Sequence, residues 1–539
     1  MKNPQLAFSE MSRITKPDGY LAIEVYNKFN LKEIYKKIRM TNFFNKIKPW
    51  SLQYDEYYSF LQIKKWANKN AIKTAGWSGS GWGIHFYLFD LIRFKSFNPK
   101  LQKKILDFYY CLEKILGTNV FFSKTLEKIT FLGTMQKSED VTLFQKIKNK
   151  ISRFIIEKKI QKFKERNLDY INSDNLSCIK NSFNWIKNAQ KAFPDGGISR
   201  GFCLLGKSAK SNYLGWQLSY PETSGYLLPT LINIKKKFKL DNIDSVIDRL
   251  AYFLYSVSKA KAVKGGSLNK ENSFSVFDTA QVIRGLIAYY KFRNNDIFKK
   301  RAIDCGNFIL DSEINNSGKI SSKYIAEKSI LISENDGCHI YVAPALLELF
   351  KITNNVSFKN LAIRIIETTL KYQSRNGYFE KSDFSKNDKI LTHNLGYILE
   401  GLIDSYLIIG EQKYLDSAEL TLKNLLYLIE QDGSLNGYIT NELKNSDDKY
   451  ECLVGSAQIA ICFYKFAKIK KNKSFEEAGE KIFFNLKKKQ NNYDKNFGGG
   501  IGAIWGSWPI SGKYQQYEAI NWANKFYLDL ILENQELIN

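Results

Sequence analysis

Over the last two thirds of the chain, apolar residues recur at three- and four-residue spacing, the period of helices with one buried face. Six segments begin the same kind of helix: Tyr220-Pro-Glu-Thr-Ser-Gly-Tyr226, Val276-Phe-Asp-Thr-Ala-Gln-Val282, Cys338-His-Ile-Tyr-Val-Ala-Pro344, Thr392-His-Asn-Leu-Gly-Tyr-Ile398, Leu453-Val-Gly-Ser-Ala-Gln-Ile459 and Ile520-Asn-Trp-Ala-Asn-Lys-Phe526. Their starts lie about 60 residues apart, a period that suits a pair of helices plus a loop. A second set alternates with them at 178–190, 245–257, 298–310, 358–373, 414–429 and 475–490, and it is richer in Lys, Glu and Asp. The pattern predicts six helix pairs closed into a ring. The less charged helices stand inside, parallel, with all six openings at one mouth.

Most helices of the outer set run into a glycine turn: Phe193-Pro-Asp-Gly-Gly197, Asn316-Ser-Gly-Lys319, Ser374-Arg-Asn-Gly-Tyr378, Gln431-Asp-Gly-Ser434 and Phe497-Gly-Gly-Gly500. Glycine past a helix end accepts the left-handed cap. The loops from there to the next inner helix reach about 20 residues, a length usually kept for function. They are expected to overhang the mouth. Residues 1–138 instead mix helix and strand patterns. Residues 139–174 read as a charged linker helix, with Ile151, Phe154, Ile155, Ile160 and Phe163 among lysines and arginines. It packs on a neighbour or touches a membrane surface.

The glycine turns, together with Tyr220–Tyr226, Phe277-Asp-Thr-Ala-Gln-Val-Ile-Arg-Gly-Leu286, Thr392-His-Asn-Leu-Gly-Tyr-Ile-Leu-Glu-Gly-Leu402 and Asn521-Trp-Ala-Asn-Lys-Phe526, resemble the (α/α)6 toroid of six-hairpin glycosidase-like proteins. The likeness covers about 175–539 and is to members found in bacterial polysaccharide gene clusters. It implies a mainly α fold and a carbohydrate-active role on a surface polysaccharide or its precursor. It does not choose the reaction, because hydrolases, lyases and epimerases share related toroids. The segment 1–138 is similar to the C-terminal half of a class I S-adenosylmethionine methyltransferase: Asn3 to Tyr20 leads into a strand at 21–27, with later strands at 84–94 and 128–136. No strand–glycine–helix cofactor loop precedes it. It is therefore expected to be a truncated fragment that binds no S-adenosylmethionine, and no cofactor is expected elsewhere. Gly76-Trp-Ser-Gly-Ser-Gly-Trp-Gly83 imitates a phosphate loop but lacks the flanking strand and helix, so a plain loop is expected.

Charge changes this picture little. The net charge of +26 comes from a Lys/Asn/Ile-rich composition spread along the chain. No nucleic-acid module accompanies it, although an anionic glycan would be attracted. Seven cysteines without a C-x-x-C pair read as reduced thiols of a cytoplasmic protein. No apolar run of about 18 residues predicts a membrane span, and Met1–Glu10 lacks the apolar stretch of a signal peptide. Asp278, Cys338, His339, His393 and Cys452 have metal-ligand chemistry, but no short-range pair among them suits zinc.

Candidate chemistry gathers at the helix openings. Glu222 and Asp278 occupy equivalent places on neighbouring inner helices and suit acid and base, or acid and nucleophile, in glycoside cleavage. The resemblance implies the same, since unsaturated-glucuronyl hydrolases of this fold use acids on neighbouring inner helices. Both also suit helix first turns, Asp278 as an N-cap. His339, His393 and Tyr341 suit proton abstraction from C5 of a uronic acid, as in an epimerase or lyase; helix caps are their structural alternative. Trp216, Tyr220, Trp508 and Trp522 offer faces for sugar rings. Gln281, Asn394, Tyr397, Gln458, Asn521 and Lys525 offer groups for hydroxyls or a carboxylate. A non-catalytic glycan-binding or scaffold ring, with a vestigial methyltransferase segment, is the remaining reading.

Overall fold

The computed structural model describes 174–538, apart from 205–214, 266–272, 383–388 and most of 315–336. It also describes three strands nearer the N-terminus and four residues between 157 and 161. The chain divides into two units, Met1–Lys148 and Asn149–Asn539.

In the first unit, β1 (Tyr20–Tyr26) and β2 (Ile72–Ser80) each pair antiparallel with β3 (Lys128–Met135), giving the order β1-β3-β2. The strands expected at 21–27 and 128–136 are present. The one expected at 84–94 lies outside the described residues, as does most of the 139–174 helix. The glycine-rich segment is corrected in part: Gly76 to Ser80 is not a loop but the second half of β2, joined after a register shift between Thr74 and Gly76. Ladder pairing with β3 overrides its loop-like composition.

In the second unit the six inner helices are α2 (Pro221–Lys237), α4 (Val276–Arg293), α6 (Ala343–Thr353), α8 (Thr392–Ile409), α10 (Leu453–Lys470) and α12 (Asn521–Ile538). The outer ones are α1 (Asn175–Lys191), α3 (Ile243–Val257), α5 (Asp296–Asp311), α7 (Val356–Leu370), α9 (Gln412–Leu425) and α11 (Lys473–Lys487). Each inner helix packs on the next, and α12 returns to α2. The first outer helix, α1, packs on the last inner one, α12, which closes the ring. Outer helices bury one stripe: in α3 that stripe is Val246, Ile247, Leu250, Ala251, Phe253 and Leu254. Inner helices are buried nearly all round; α10 buries fourteen residues, Leu453 to Ala467 excepting Lys465. This difference is the physical basis of the inner and outer assignment.

The inner helices run parallel, first turns level with one another. Asn521 Nδ2 of α12 donates to Thr223 Oγ1 of α2 (2.9 Å), and two turns on Thr230 Oγ1 donates to Asp529 Oδ1 (2.7 Å). One opening departs from expectation. Gly337–Val342 is a 3-10 turn, and α6 begins only at Ala343, with Pro344 in its first turn. A proline suits a helix start because it has no N–H to donate.

A collar of short strands surrounds the openings and was not expected. Strands Ser273–Ser275, Lys389–Leu391, Glu451–Cys452 and Glu518–Ile520 lead directly into α4, α8, α10 and α12. Each pairs antiparallel with the loop of an adjacent repeat: with Lys323–Ile325, Tyr438–Thr440, Ser507–Trp508 and Gly201–Cys203 respectively. The long loops thus anchor the N-termini of the inner helices. Glycine turns behave as predicted where they are described, with positive φ at Gly196, Gly377, Gly433 and Gly498 to Gly500.

Two inner helices meet at a tight glycine seam. A Cβ at Gly225 of α2 would lie 2.4 Å from the Gln281 carbonyl oxygen of α4, and one at Gly285 would lie 2.6 Å from the Gly225 oxygen. Gly225→Ala is expected to lower stability by about 1–3 kcal/mol, measured as a reduced urea midpoint with unchanged slope. A neutral effect would show that the seam can open without cost.

Candidate functional site

The seam places the first pair of candidates. Glu222 and Asp278 lie three residues before Gly225 and Gln281, so contact at the glycine sets both carboxylates on adjoining first turns. Pro221 occupies the first position of α2 and puts Glu222 in the first turn. Asp278 is not an N-cap. Ser275 is the cap of α4: its Oγ accepts from Asp278 N (3.2 Å) and donates to Asp278 Oδ1 (2.8 Å). Asp278 therefore sits at the third helical position in a capping-box relation, with Ser275 orienting its carboxylate.

The environment sets the protonation of Glu222. It is 7% exposed. Burial, then the neighbouring Asp278 charge, pushes its carboxyl up to about 8, against the pull of the Tyr220 and Tyr397 hydroxyls toward the ionised form. The Tyr397 hydroxyl lies 3.4 Å from Glu222 Oε1. A helix first turn ordinarily favours the carboxylate; here desolvation and like charge outweigh it. Burial and like charge thus hold Glu222 toward its protonated form.

His393, in the first turn of α8, caps nothing: α8 has no side-chain cap. Its ring lies 4.4 Å from that of Tyr397 and 5.6 Å from that of Tyr514. Its Nδ1 meets Gln458 Oε1 of α10 at 2.5 Å. Burial, aided by the Lys525 charge and opposed by Gln458, lowers its pKa to about 4. The imidazole is neutral at pH 7. Tyr397 therefore touches both the acid on α2 and the histidine on α8. Phe277 and Tyr341 complete the aromatic wall, with rings 5.2 and 4.6 Å from that of Tyr397. Tyr341 is brought to this group; His339 lies two residues earlier in the same 3-10 turn and is buried.

Other candidates divide. Trp522 lies in the mouth, its Nε1 donating to Tyr514 Oη (2.9 Å), with Tyr220 edge-on at 6.3 Å and the Arg200 guanidinium 5.0 Å above its ring. Trp216 packs against Trp185 (5.1 Å) and Phe202 (5.3 Å); it helps seat the first loop on α1 rather than lining the group around Tyr397. Trp508 lies in the collar opposite Glu451. Gln281, Asn394 and Asn521 are fully buried. Asn521 ties α12 to α2, and Gln281 Nε2 reaches back to the Phe277 carbonyl at 3.5 Å. Lys525 pairs with Asp529 (2.8 Å) over the Phe526 ring.

Several residues of the site were not foreseen. Arg200, from the first loop, binds Gln217 (2.9 Å), Glu518 (2.7 Å) and Gln515 (2.6 Å), locking two collar loops beneath Trp522. Below the mouth a cavity of about 290 Å³ is lined by Tyr226, Arg284, Tyr341, Glu400, Asp404, Lys465 and Lys525 among others. Ion pairs cross it: Arg284–Glu348 (3.8 Å), Arg284–Asp404 (3.4 Å) and Lys465–Asp404 (2.6 Å). Burial alone would raise Asp404, but Lys465 and Arg284 bring it below the usual range. Among the described residues no cluster of His, Cys, Asp and Glu is arranged to hold a metal ion, and no helix is long and apolar enough to cross a membrane.

No family model and no curated protein matches the chain. Solved structures do. An unsaturated glucuronyl hydrolase specific for heparin superposes with TM-score 0.53 at 14% identity, covering 69% of this chain and 98% of its own. The cellobiose 2-epimerase of Bacillus thermoamylovorans B4167 gives 0.53 at 13%, covering 66% and 98%. A D-mannose isomerase gives 0.53 at 12%, covering 67% and 97%. At such identities the likeness is one of fold. It establishes the fold, an (α/α)6 toroid.

The Glu222 environment has a measurable consequence. Unfolded, the carboxyl ionises near 4.5; folded, it keeps its proton to about 8. Between these values the native state binds more protons, so its stability falls as pH rises through that window. Glu222→Gln removes the dependence. Its melting temperature is expected to match that of the parent near pH 4.5 and to exceed it increasingly toward pH 8, by differential scanning calorimetry. A constant offset across the range would refute the assignment.

Proposed function

We propose that the ring is a carbohydrate-active enzyme that cleaves a glycosidic bond at its mouth, with Glu222 as proton donor and Asp278 as the partner carboxylate. One observation carries the reading: a buried carboxyl that retains its proton at neutral pH stands on the turn adjoining that of a second carboxylate. Glycoside cleavage requires that division of roles, acid to the leaving oxygen and carboxylate to water or to the anomeric carbon. Ser275 holds Asp278 by its hydroxyl, fixing one oxygen. Tyr397 and Tyr220 offer aromatic surface beside Glu222, and Trp522 adds a ring edge-on to Tyr220, suited to the apolar face of a pyranose.

The substrate class follows from chemistry and fold together. The net charge of +26 favours an anionic glycan, and one solved structure of this fold is an unsaturated glucuronyl hydrolase. A uronic-acid-containing surface polysaccharide or its precursor fits both. The five described cysteines are buried free thiols, which supports a cytoplasmic setting. For the N-terminal unit, the reading as a methyltransferase fragment stands as a proposal supported by the paired strands β1 and β3. Titration with S-adenosylmethionine that releases heat would overturn its assignment as inactive.

A second reading has its own observation. His393 is neutral, and its Nδ1 is engaged by Gln458, so the ring is set to accept a proton. That suits C5 proton abstraction from a uronate, with epimerisation or elimination as outcome. It predicts deuterium uptake at C5 or a new ultraviolet absorbance from an unsaturated product; hydrolysis gives neither.

The test uses unsaturated and saturated uronyl oligosaccharides with chromatographic detection of products. Glu222→Gln and Asp278→Asn are each expected to lower kcat by about 10²–10⁴ while glycan binding persists in titration calorimetry. In the parent, kcat/KM is expected to fall as pH rises through about 8, where Glu222 surrenders its proton. Full turnover in both variants overturns the hydrolase reading. Glycan affinity with no product from any substrate would favour a binding ring.

A further inference from the structure

The side chain beneath His393 is not a loose hydroxyl binder. Gln458 stands on α10 with its amide between two groups, Oε1 at 2.5 Å from His393 Nδ1 and Nε2 at 3.5 Å from Glu400 Oε2. Burial raises the Glu400 carboxyl, against the pull of the Lys525 and Lys465 charges; in its ionised form it can only accept, which turns the amide nitrogen toward it and leaves the amide oxygen for the histidine. An amide oxygen can only accept as well, so the proton of the neutral ring must sit on Nδ1. The packing reserves this space. A Cβ at Gly396, one turn along α8 from His393, would lie 2.6 Å from Gln458 Cβ and 2.9 Å from its Oε1. Across the same seam a Cβ at Gly455 would lie 2.5 Å from His393 N.

We infer that Gln458 and Glu400 are positioning residues that hold His393 in the Nδ1–H tautomer and leave its Nε2 lone pair for a proton from the substrate. Among the described residues Nδ1 makes the ring's hydrogen bond, and Nε2 has no protein partner. The other groups facing the ring are Tyr397 on its own helix, Tyr514 from the collar loop, and Phe526 and the Lys525 ammonium on α12. None of them puts an anion against the ring. A ring buried beside a cation and bonded to an amide stays uncharged, which is the state a proton acceptor needs. Use of the lone pair rests on reading the mouth as a sugar site; the tautomer does not.

The experiment therefore needs no sugar. The chain has three histidines, so a long-range proton–nitrogen spectrum of [15N]histidine-labelled full-length protein is sparse, and His393→Gln assigns the signal. Expected is a single neutral Nδ1–H tautomer for His393 from pH 8 to about 5, with protonation near 4. Gln458→Glu places an anion on the same nitrogen and should raise the protonation midpoint by about one pH unit or more. Gln458→Met removes the acceptor and should give a mixture of tautomers. An Nε2–H or mixed form in the unaltered protein overturns the inference. So does an unmoved midpoint in Gln458→Glu, or a pure Nδ1–H form in Gln458→Met. Loss of the hydrolase reading would leave every one of these signals unchanged.

Discussion

The backbone contact between α2 and α4 is the constraint from which the mouth follows. Two helices with ordinary side chains stand 8–10 Å apart. At Gly225 and Gly285 nothing stands between the backbones, so the first turns are brought side by side and Glu222 comes within the field of Asp278. The same device recurs on α8 and α10, where Gly455 lies against Thr392 and His393 while Gly396 lies against Gln458. In both seams a glycine removes a side chain so that a functional group one turn away gains a partner. Ring closure and the strand collar keep the helices from sliding and so preserve that register.

Opposing fields meet along the inner helices. Parallel helices with their first turns level sum their positive ends at the mouth, which should ionise Glu222 and hold nearby histidines neutral. Burial acts with the dipole on His393 and against it on Glu222, and on Glu222 burial plus Asp278 prevails. Deeper in the ring, Arg284, Asp404 and Lys465 compensate one another in a chain of ion pairs. Removing one member would strand the others in a low-dielectric interior, at a cost larger than the pair's own net contribution.

The helix pairs were legible because their signal is local: a 3.6-residue period, a glycine past each outer helix, a proline at the start of α2. The collar was not, because its strands are two or three residues long and pair with loops of neighbouring repeats, leaving no alternation to read. The late start of α6 could have been read from Pro344, whose place in the first turn marks the helix beginning. Glu222 with Asp278, and His393 with His339, stand out as candidates in the sequence because each pair occupies equivalent positions in the repeat. Their partners do not: Arg284, Glu400 and Asp404 look like ordinary polar residues on helices, and only ring closure brings them together. Trp216 shows how little an aromatic near a helix opening specifies, since it also serves to seat a loop, and here it meets Trp185.

Tyr397 joins the two candidate groups of the mouth. Its hydroxyl approaches Glu222 and its ring lies on His393, so the hydrolase and epimerase readings concern one cleft rather than two. On one side stands a carboxyl that keeps its proton at neutral pH, and on the other an imidazole that declines one. A donor and an acceptor with inverted protonation are what general acid–base catalysis needs, whichever bond is broken. On either proposed reading, the outcome would turn on where the reacting carbon lay relative to Tyr397. An anomeric carbon between Glu222 and Asp278 gives cleavage; a carbon acid beneath His393 Nε2 gives proton exchange.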